Sequence, residues 1–137
     1  GDVYKRQAPV GARIPLLAGA VGKVFLSLME EGQALRIIRS KGLTRYTENT
    51  ITDPEGHYEE IKRVRQKGYA LDDEEYIPGV RAVAAPIKGE SHFMSAIWAV
   101  GFKAILTDRK MEVLAEMTKR AAQSIRDKIT DPPLFQI

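Results

Sequence analysis

The sequence predicts an α+β domain, an antiparallel sheet flanked by helices, and three observations lead there. An unusually apolar run, Val80 to Ile87, is followed by a short turn and an alternating segment, His92 to Gly101, which is the pattern of a hairpin. Apolar residues at helical spacing occupy the chain on both sides of it. The order is therefore helix, helix, helix, hairpin, helix, which keeps helices and strands apart as α+β domains do. At 137 residues, 44% hydrophobic and 28% charged, the chain suffices for one buried core and is too apolar to stay disordered.

In chain order, residues 1–10 show no clear period and are expected to be an irregular or cut N-terminal edge, with the domain itself over 11–130. Leu17, Val21, Val24, Phe25 and Leu28 recur at helical spacing after a small-residue turn, in a helix expected to stop at Gly32. A second helix, Gln33 to Lys41, turns Leu35 and Ile38 inward and closes at Gly42. Asp53-Pro54 starts a third, because the Asp side chain accepts backbone N–H bonds while proline in the first position loses only an orphan donor. Its stripe is Tyr58, Ile61 and Val64, and Gly68 ends it.

Residues 69–76 read as a short extended or bulged segment before the Pro78-Gly79 turn. In the hairpin's second strand Phe93, Ser95, Ile97 and Ala99 share one face, and Met94, Ala96, Trp98 and Val100 the other. Thr107 or Asp108 caps a long last helix with Met111, Leu114, Met117, Ala121 and Ile125 as its stripe, and 131–137, with Pro132-Pro133, is expected to be a loose tail. Two strands do not make a stable sheet, so more are expected from residues 3–14, from 69–76 or from polypeptide upstream.

A net charge of +3 and a pI near 9.2 raise the question of nucleic acid. Basic and acidic residues are interspersed, however, and the densest basic run, Lys62-Arg63-x-Arg65-x-Lys67, falls where cations complement a helix C-terminus. The absence of cysteine excludes disulfides, thiolate metal sites and a cysteine nucleophile, and suits a cytoplasmic location. No apolar stretch approaches the roughly 20 residues of a membrane-spanning helix.

Several constellations invite chemistry. Gly19-Ala20-Val21-Gly22-Lys23 lacks phosphate-loop spacing, and Val24 stands where a metal-binding hydroxyl is required. The segment still opens a helix, where free N–H groups favour a carboxylate or small anion; a merely close-packed helix start is the equal alternative. Asp72-Asp73-Glu74-Glu75 is a cation candidate, yet consecutive acids in an extended segment point to alternate sides, which favours a solvated acidic turn, with one acid turned inward as a pocket hydrogen-bond acceptor as the alternative. His57 and His92 lie on separate elements and do not suggest zinc, and His92 is expected at the surface. No serine sits in a nucleophile elbow, and no cofactor is implied. Trp98 is expected in the core, with a ligand-pocket wall or an interface as the alternative.

Gly11-x-x-x-Pro15-Leu16 followed by Gly22-Lys23 and an aliphatic helix resembles the entry to the effector domain of IclR-type regulators. Tyr46-Thr47-x-x-Thr50-Ile51, Gly68-Tyr69-Ala70-x-Asp72-x-Glu74-Glu75 and Gly79 to Ile87 are similar, in the same order, to later motifs of that family. The resemblance covers about residues 11 to 127 and implies a GAF-like sensor domain that lacks its first strands here. It also implies a DNA-binding helix-turn-helix outside this chain and assembly into a homodimer or homotetramer. By motif match the carboxylate of a small effector would lie near the N–H groups of Ala20 and Val21, and Asp72 would point into the pocket. Ile14, Val80, Ala82, Trp98 and Val100 would form its walls, more apolar than in small-acid sensors, which suggests an aromatic carboxylate. The alternatives are a dimerisation module whose pocket Trp98 fills, and an enzyme using Asp72, which has no recognisable acid–base partner.

Overall fold

The computed structural model describes residues 10–89 and 94–130. The described residues form helices α1 (Gly19–Leu28), α2 (Glu31–Lys41) and α3 (Pro54–Lys67), strands β1 (Ala70–Asp73), β2 (Val80–Ile87) and β3 (Ser95–Phe102), and helix α4 (Asp108–Thr130). The sheet has the order β1-β2-β3 and is antiparallel throughout. The hairpin is the one expected, and the 69–76 segment supplies the third strand. His92, Phe93, part of the hairpin turn, the first nine residues and the 131–137 tail lie outside the described residues.

Local chemistry sets the helix ends. Asp53 accepts the Gly56 N–H at 2.9 Å, Pro54 takes the first position of α3, and Gly68 closes it in the left-handed conformation at φ 83°. The boundary between the first two helices differs from expectation: α1 ends at Leu28, and Gly32 lies inside the first turn of α2. Apolar spacing carried the first helix too far, because the Glu30 carbonyl already accepts the Ala34 N–H at 3.0 Å and opens the second. The basic run ending α3 is not wholly solvated either, since Arg65 donates to the carbonyls of Ser27 and Met29 and so caps the end of α1.

The sheet separates two apolar layers. On one face α4 packs over β2 and β3, bringing Met111 and Ala115 onto Val83 with Leu71, Leu106 and Leu114 around them. Met117, expected in the α4 stripe, is exposed, and Thr118 is buried in its place. The helical period leads from Met111 through Leu114 and Ala115 to 118, and the Thr118 hydroxyl donates to the Leu114 carbonyl, so its burial leaves no polar group unpaired. On the other face α1 lies against a floor of small residues, Ala70, Ala82 and Ala84, which let it approach closely. α3 and α2 stack outside α1 around Leu26, Ala34, Ile38, Tyr58 and Ile61.

Trp98 and Val100 alternate as expected onto the α1 side, opposite Ala84 and Ala82. They are not core: Trp98 is 39% exposed and Val100 51%. β3 is the edge strand among the described residues, and α1 lies mainly over β1 and β2, so this part of the face stays open.

Candidate functional site

The start of α1 is fixed by a close crossing. A side chain on Gly22 would begin only 2.1 Å from the Leu16 carbonyl oxygen, so glycine alone lets the Pro15-Leu16 segment run against the helix. Ala18 precedes α1 in an extended conformation and offers no capping side chain. The first N–H groups of α1 therefore have no acceptor from the N-cap side chain, the condition under which a helix start favours an anion.

Asp72 faces this start. In the sheet it stands opposite Ala82, which stands opposite Val100, so the three form one row beneath α1. One carboxylate oxygen, Oδ2, lies 3.3 Å from where a side chain on Gly19 would begin, and the other, Oδ1, accepts the Glu75 N–H at 2.8 Å. The side chain is buried. Burial pushes its acid up to about 6; the Glu75 N–H and the Lys23 charge resist the shift, while the Glu75 and Asp73 carboxylates add to it.

The other three acids go elsewhere. Asp73 turns to the far face of the sheet and pairs with Arg81 at 2.8 Å. Glu74 adopts φ 57°, accepts the Gly79 N–H and pairs with Lys103. Glu75 pairs at 2.8 Å with Lys23, which is only 2% exposed, donates to the Leu71 carbonyl at 2.7 Å and comes within 3.7 Å of Glu60. Lys23 thus ties α1 to the β1–β2 turn and to α3. It is an anchor, with no freedom to serve as a phosphate arm.

The loop before α3 clamps the same turn. The Thr50 hydroxyl accepts the N–H groups of Tyr46 and Thr47 and donates to the Glu75 carbonyl; Thr47 donates to the Glu74 carbonyl, and the Asn49 amide to that of Asp73. The Tyr46-to-Ile51 motif is legible in the sequence but this task is not, and neither Lys23 nor Glu75 stands out there as site-forming. Lys23 left a signal: a lone charge three residues from Ala20 and from Leu26 belongs to the buried face of a helix, where it requires partners. His57 left a similar one, since it shares the buried side of α3 with Ile61 and Val64. It is 1% exposed, and neither ring nitrogen has a hydrogen-bond partner. Burial, and next the Lys23 charge, lower its pKa to about 4.

Ala20, expected to offer its N–H, and Ala82, an expected wall residue, meet in one cluster, with Val21 partly buried against it. Val80 stands opposite Phe102 at the turn end of the sheet, and Trp98 and Val100 form an open rim that the exposed Met94 and Phe102 extend. Ile14 is exposed and belongs to none of the apolar clusters, so the structure does not bring it to the row. The structure thus brings together the start of α1, one buried acid whose pKa burial raises to about 6, and an apolar rim on β3 that α1 leaves open. Among the described residues no group of three His, Asp or Glu is placed to hold a metal ion, and no helix is long and apolar enough to cross a membrane.

Residues 2–127 match the family model for the C-terminal part of the bacterial transcriptional regulator IclR. The transcriptional repressor IclR of Escherichia coli K12 is 33% identical over 124 residues, which are 90% of this chain and 45% of that protein. The HTH-type transcriptional regulator BhcR of Paracoccus denitrificans is 33% identical over 120 residues, 85% of this chain and 42% of that protein. The chain thus spans somewhat under half the length of these relatives. Among solved structures, the inducer-binding domain of a double mutant of the Acinetobacter PobR transcription factor, in complex with 3-hydroxybenzoic acid, superposes with a TM-score of 0.77 at 29% identity, covering 85% of this chain and 67% of that one. All three are named as regulators of transcription and none as an enzyme. With a GAF-like α+β fold and a family match over almost its whole length, the chain belongs to the IclR family of bacterial transcriptional regulators, as their C-terminal, effector-binding domain.

Proposed function

We propose that the trough between α1 and the sheet binds a small organic carboxylate, aromatic rather than aliphatic, and that its occupancy alters DNA binding by a helix-turn-helix domain elsewhere in the same polypeptide. The observation that carries the reading is Asp72, buried and aimed at a helix start whose N-cap has no capping side chain. The carboxylate lies against the N–H groups near Ala20 and Val21, while Asp72 bonds a polar substituent or the acid itself. Ala82 is the floor, and Val80, Trp98 and Val100 make the apolar side; Ile14 joins only if its segment folds inward. The hydroxybenzoate held by the PobR inducer-binding domain supports an aromatic acid.

An effector shifts a regulator only through different affinities for two arrangements. Here the movable parts are α1 and the β1–β2 turn, which Lys23 links, in a homodimer or homotetramer in the cytoplasm. Calorimetric titration of the intact protein with acetate, pyruvate, benzoate and 3-hydroxybenzoate tests the reading. The aromatic acids are expected to bind more tightly, with Asp72→Ala weakening 3-hydroxybenzoate about tenfold or more, as loss of a buried charge-assisted hydrogen bond does. Failure of the whole panel, with the fold intact by circular dichroism, would favour a dimerisation module instead. Against that module stands Trp98, which is too exposed to be the plug of a filled pocket.

A further inference from the structure

We infer that a carboxylate entering this trough brings a proton with it, held between the ligand and Asp72. The inference rests on the effector reading above and concerns how that same site is regulated. Its basis is a charge count. Three carboxylates, Asp72, Glu75 and Glu60, lie within the field of one buried ammonium, Lys23, which is already engaged by Glu75 at 2.8 Å, by Glu60 at 3.7 Å and by the Leu71 carbonyl; Arg63 pairs with Glu60 at 2.8 Å, so the group still carries one carboxylate more than it has cations.

Among the described residues Lys23 is the cation that acts on Asp72. β2 and β3 present Ala82, Ala84, Val100 and Trp98 to it, while Arg81 points to the opposite face, where Asp73 and Asp108 hold it. From α3 come Glu60 with its partner Arg63, and the buried His57, neutral at physiological pH. The start of α1 offers only about half a positive charge, and the Asp72 carboxylate already lies beside Gly19 there.

A second carboxylate at that position meets Asp72 as a like charge in a desolvated place, where two acids cannot both stay ionised. The ligand anion and one proton from solvent enter together, and an O–H···O bond forms between the acids. Asp72, whose acid burial has raised to about 6, is the group closest to accepting that proton.

The test uses benzoate and its neutral isostere benzamide on the intact protein, by calorimetry at pH 7 in two buffers of different ionisation heat. Benzoate binding is expected to take up nearly one proton per site at pH 7, and its affinity to fall about fivefold from pH 6 to 7 and about tenfold from pH 7 to 8, a range in which free benzoate does not titrate. Benzamide, whose amide donates to an ionised Asp72, is expected to bind without uptake. Asp72→Asn, whose amide donates to the benzoate carboxylate without taking up a proton, is expected to change the affinity for benzoate and to abolish both the uptake and the pH dependence. Benzoate binding with no uptake and constant affinity would overturn the inference and leave the site standing, as would uptake that persists in Asp72→Asn. If neither benzoate nor the wider panel binds, the site reading itself fails, and this inference with it.

Discussion

At Gly22 the chain has no room for even one carbon: a side chain would start 2.1 Å from one carbonyl oxygen of the crossing segment and 3.1 Å from another. These are backbone atoms and cannot swing aside. Gly22→Ala is therefore expected to push Pro15-Leu16 off α1 and to cost about 3 kcal/mol or more, at the upper end of overpacking penalties. Gly32 is the control. It lies in the first turn of α2 with negative φ, and its nearest neighbours would stand 3.5 Å away, at ordinary contact distance. Gly32→Ala is expected to be neutral or to stabilise by about 0.5–1 kcal/mol, because alanine restricts the unfolded chain and favours helix. Urea unfolding midpoints of the two variants separate these outcomes, and equal midpoints would contradict the close crossing. The glycine was visible in the sequence as part of a motif. Its reason was not, because the carbonyl it makes room for belongs to a different segment of backbone.

Elements differ in how far their own residues determine them. The start of α3 was legible because Asp53, Pro54 and Gly56 act within a single turn. The hairpin was legible because its alternation is local and strands pair most readily with their neighbours. The exposure of Trp98 was not, since it depends on how far α1 reaches across the sheet, and β3 carries the same alternation whether or not it is covered. The rotation of α4 falls between these cases. The stripe is legible, but hydrophobicity alone points to Met117 over Thr118, whereas helical period and a backbone acceptor for the threonine hydroxyl decide the reverse. That orientation makes a prediction. Met111 packs against Val83 and Ala115, so Met111→Ala is expected to cost about 2–3 kcal/mol through the cavity it leaves. Met117→Ala, at an exposed position, is expected to change stability by no more than about 0.5 kcal/mol. Comparable losses in thermal or urea unfolding would mean that α4 faces the sheet with its other side.

Across the whole molecule, two buried groups oppose each other in the response to acid. His57 has a folded pKa of about 4 against an ordinary 6.5, so between those values the unfolded chain binds a proton that the folded one refuses. Its stabilising share is complete above about pH 6.5 and is lost as pH falls toward 4. Asp72 runs the other way. Its folded pKa is about 6 against an ordinary 3.8, so the folded chain holds the extra proton, and its share is complete below about pH 3.8 and is lost as pH rises through 6. Each displacement corresponds to about 3 kcal/mol, and the two windows nearly coincide. Stability of the intact protein is therefore expected to be almost flat between about pH 4 and 6. Removing either group should uncover the other. His57→Phe keeps a ring in the cavity, removes two unpartnered nitrogens and leaves Asp72 alone, so stability should fall by up to about 3 kcal/mol as pH rises from 4 to 6. Asp72→Asn leaves His57 alone, and stability should fall by a similar amount as pH drops over the same interval. Urea unfolding of the three proteins at half-unit steps of pH checks this. Slopes of the same sign in the two variants would show that at least one of the two groups titrates near its ordinary value in the folded state, and so lies in water rather than within the layer that α1 shares with the sheet and α3.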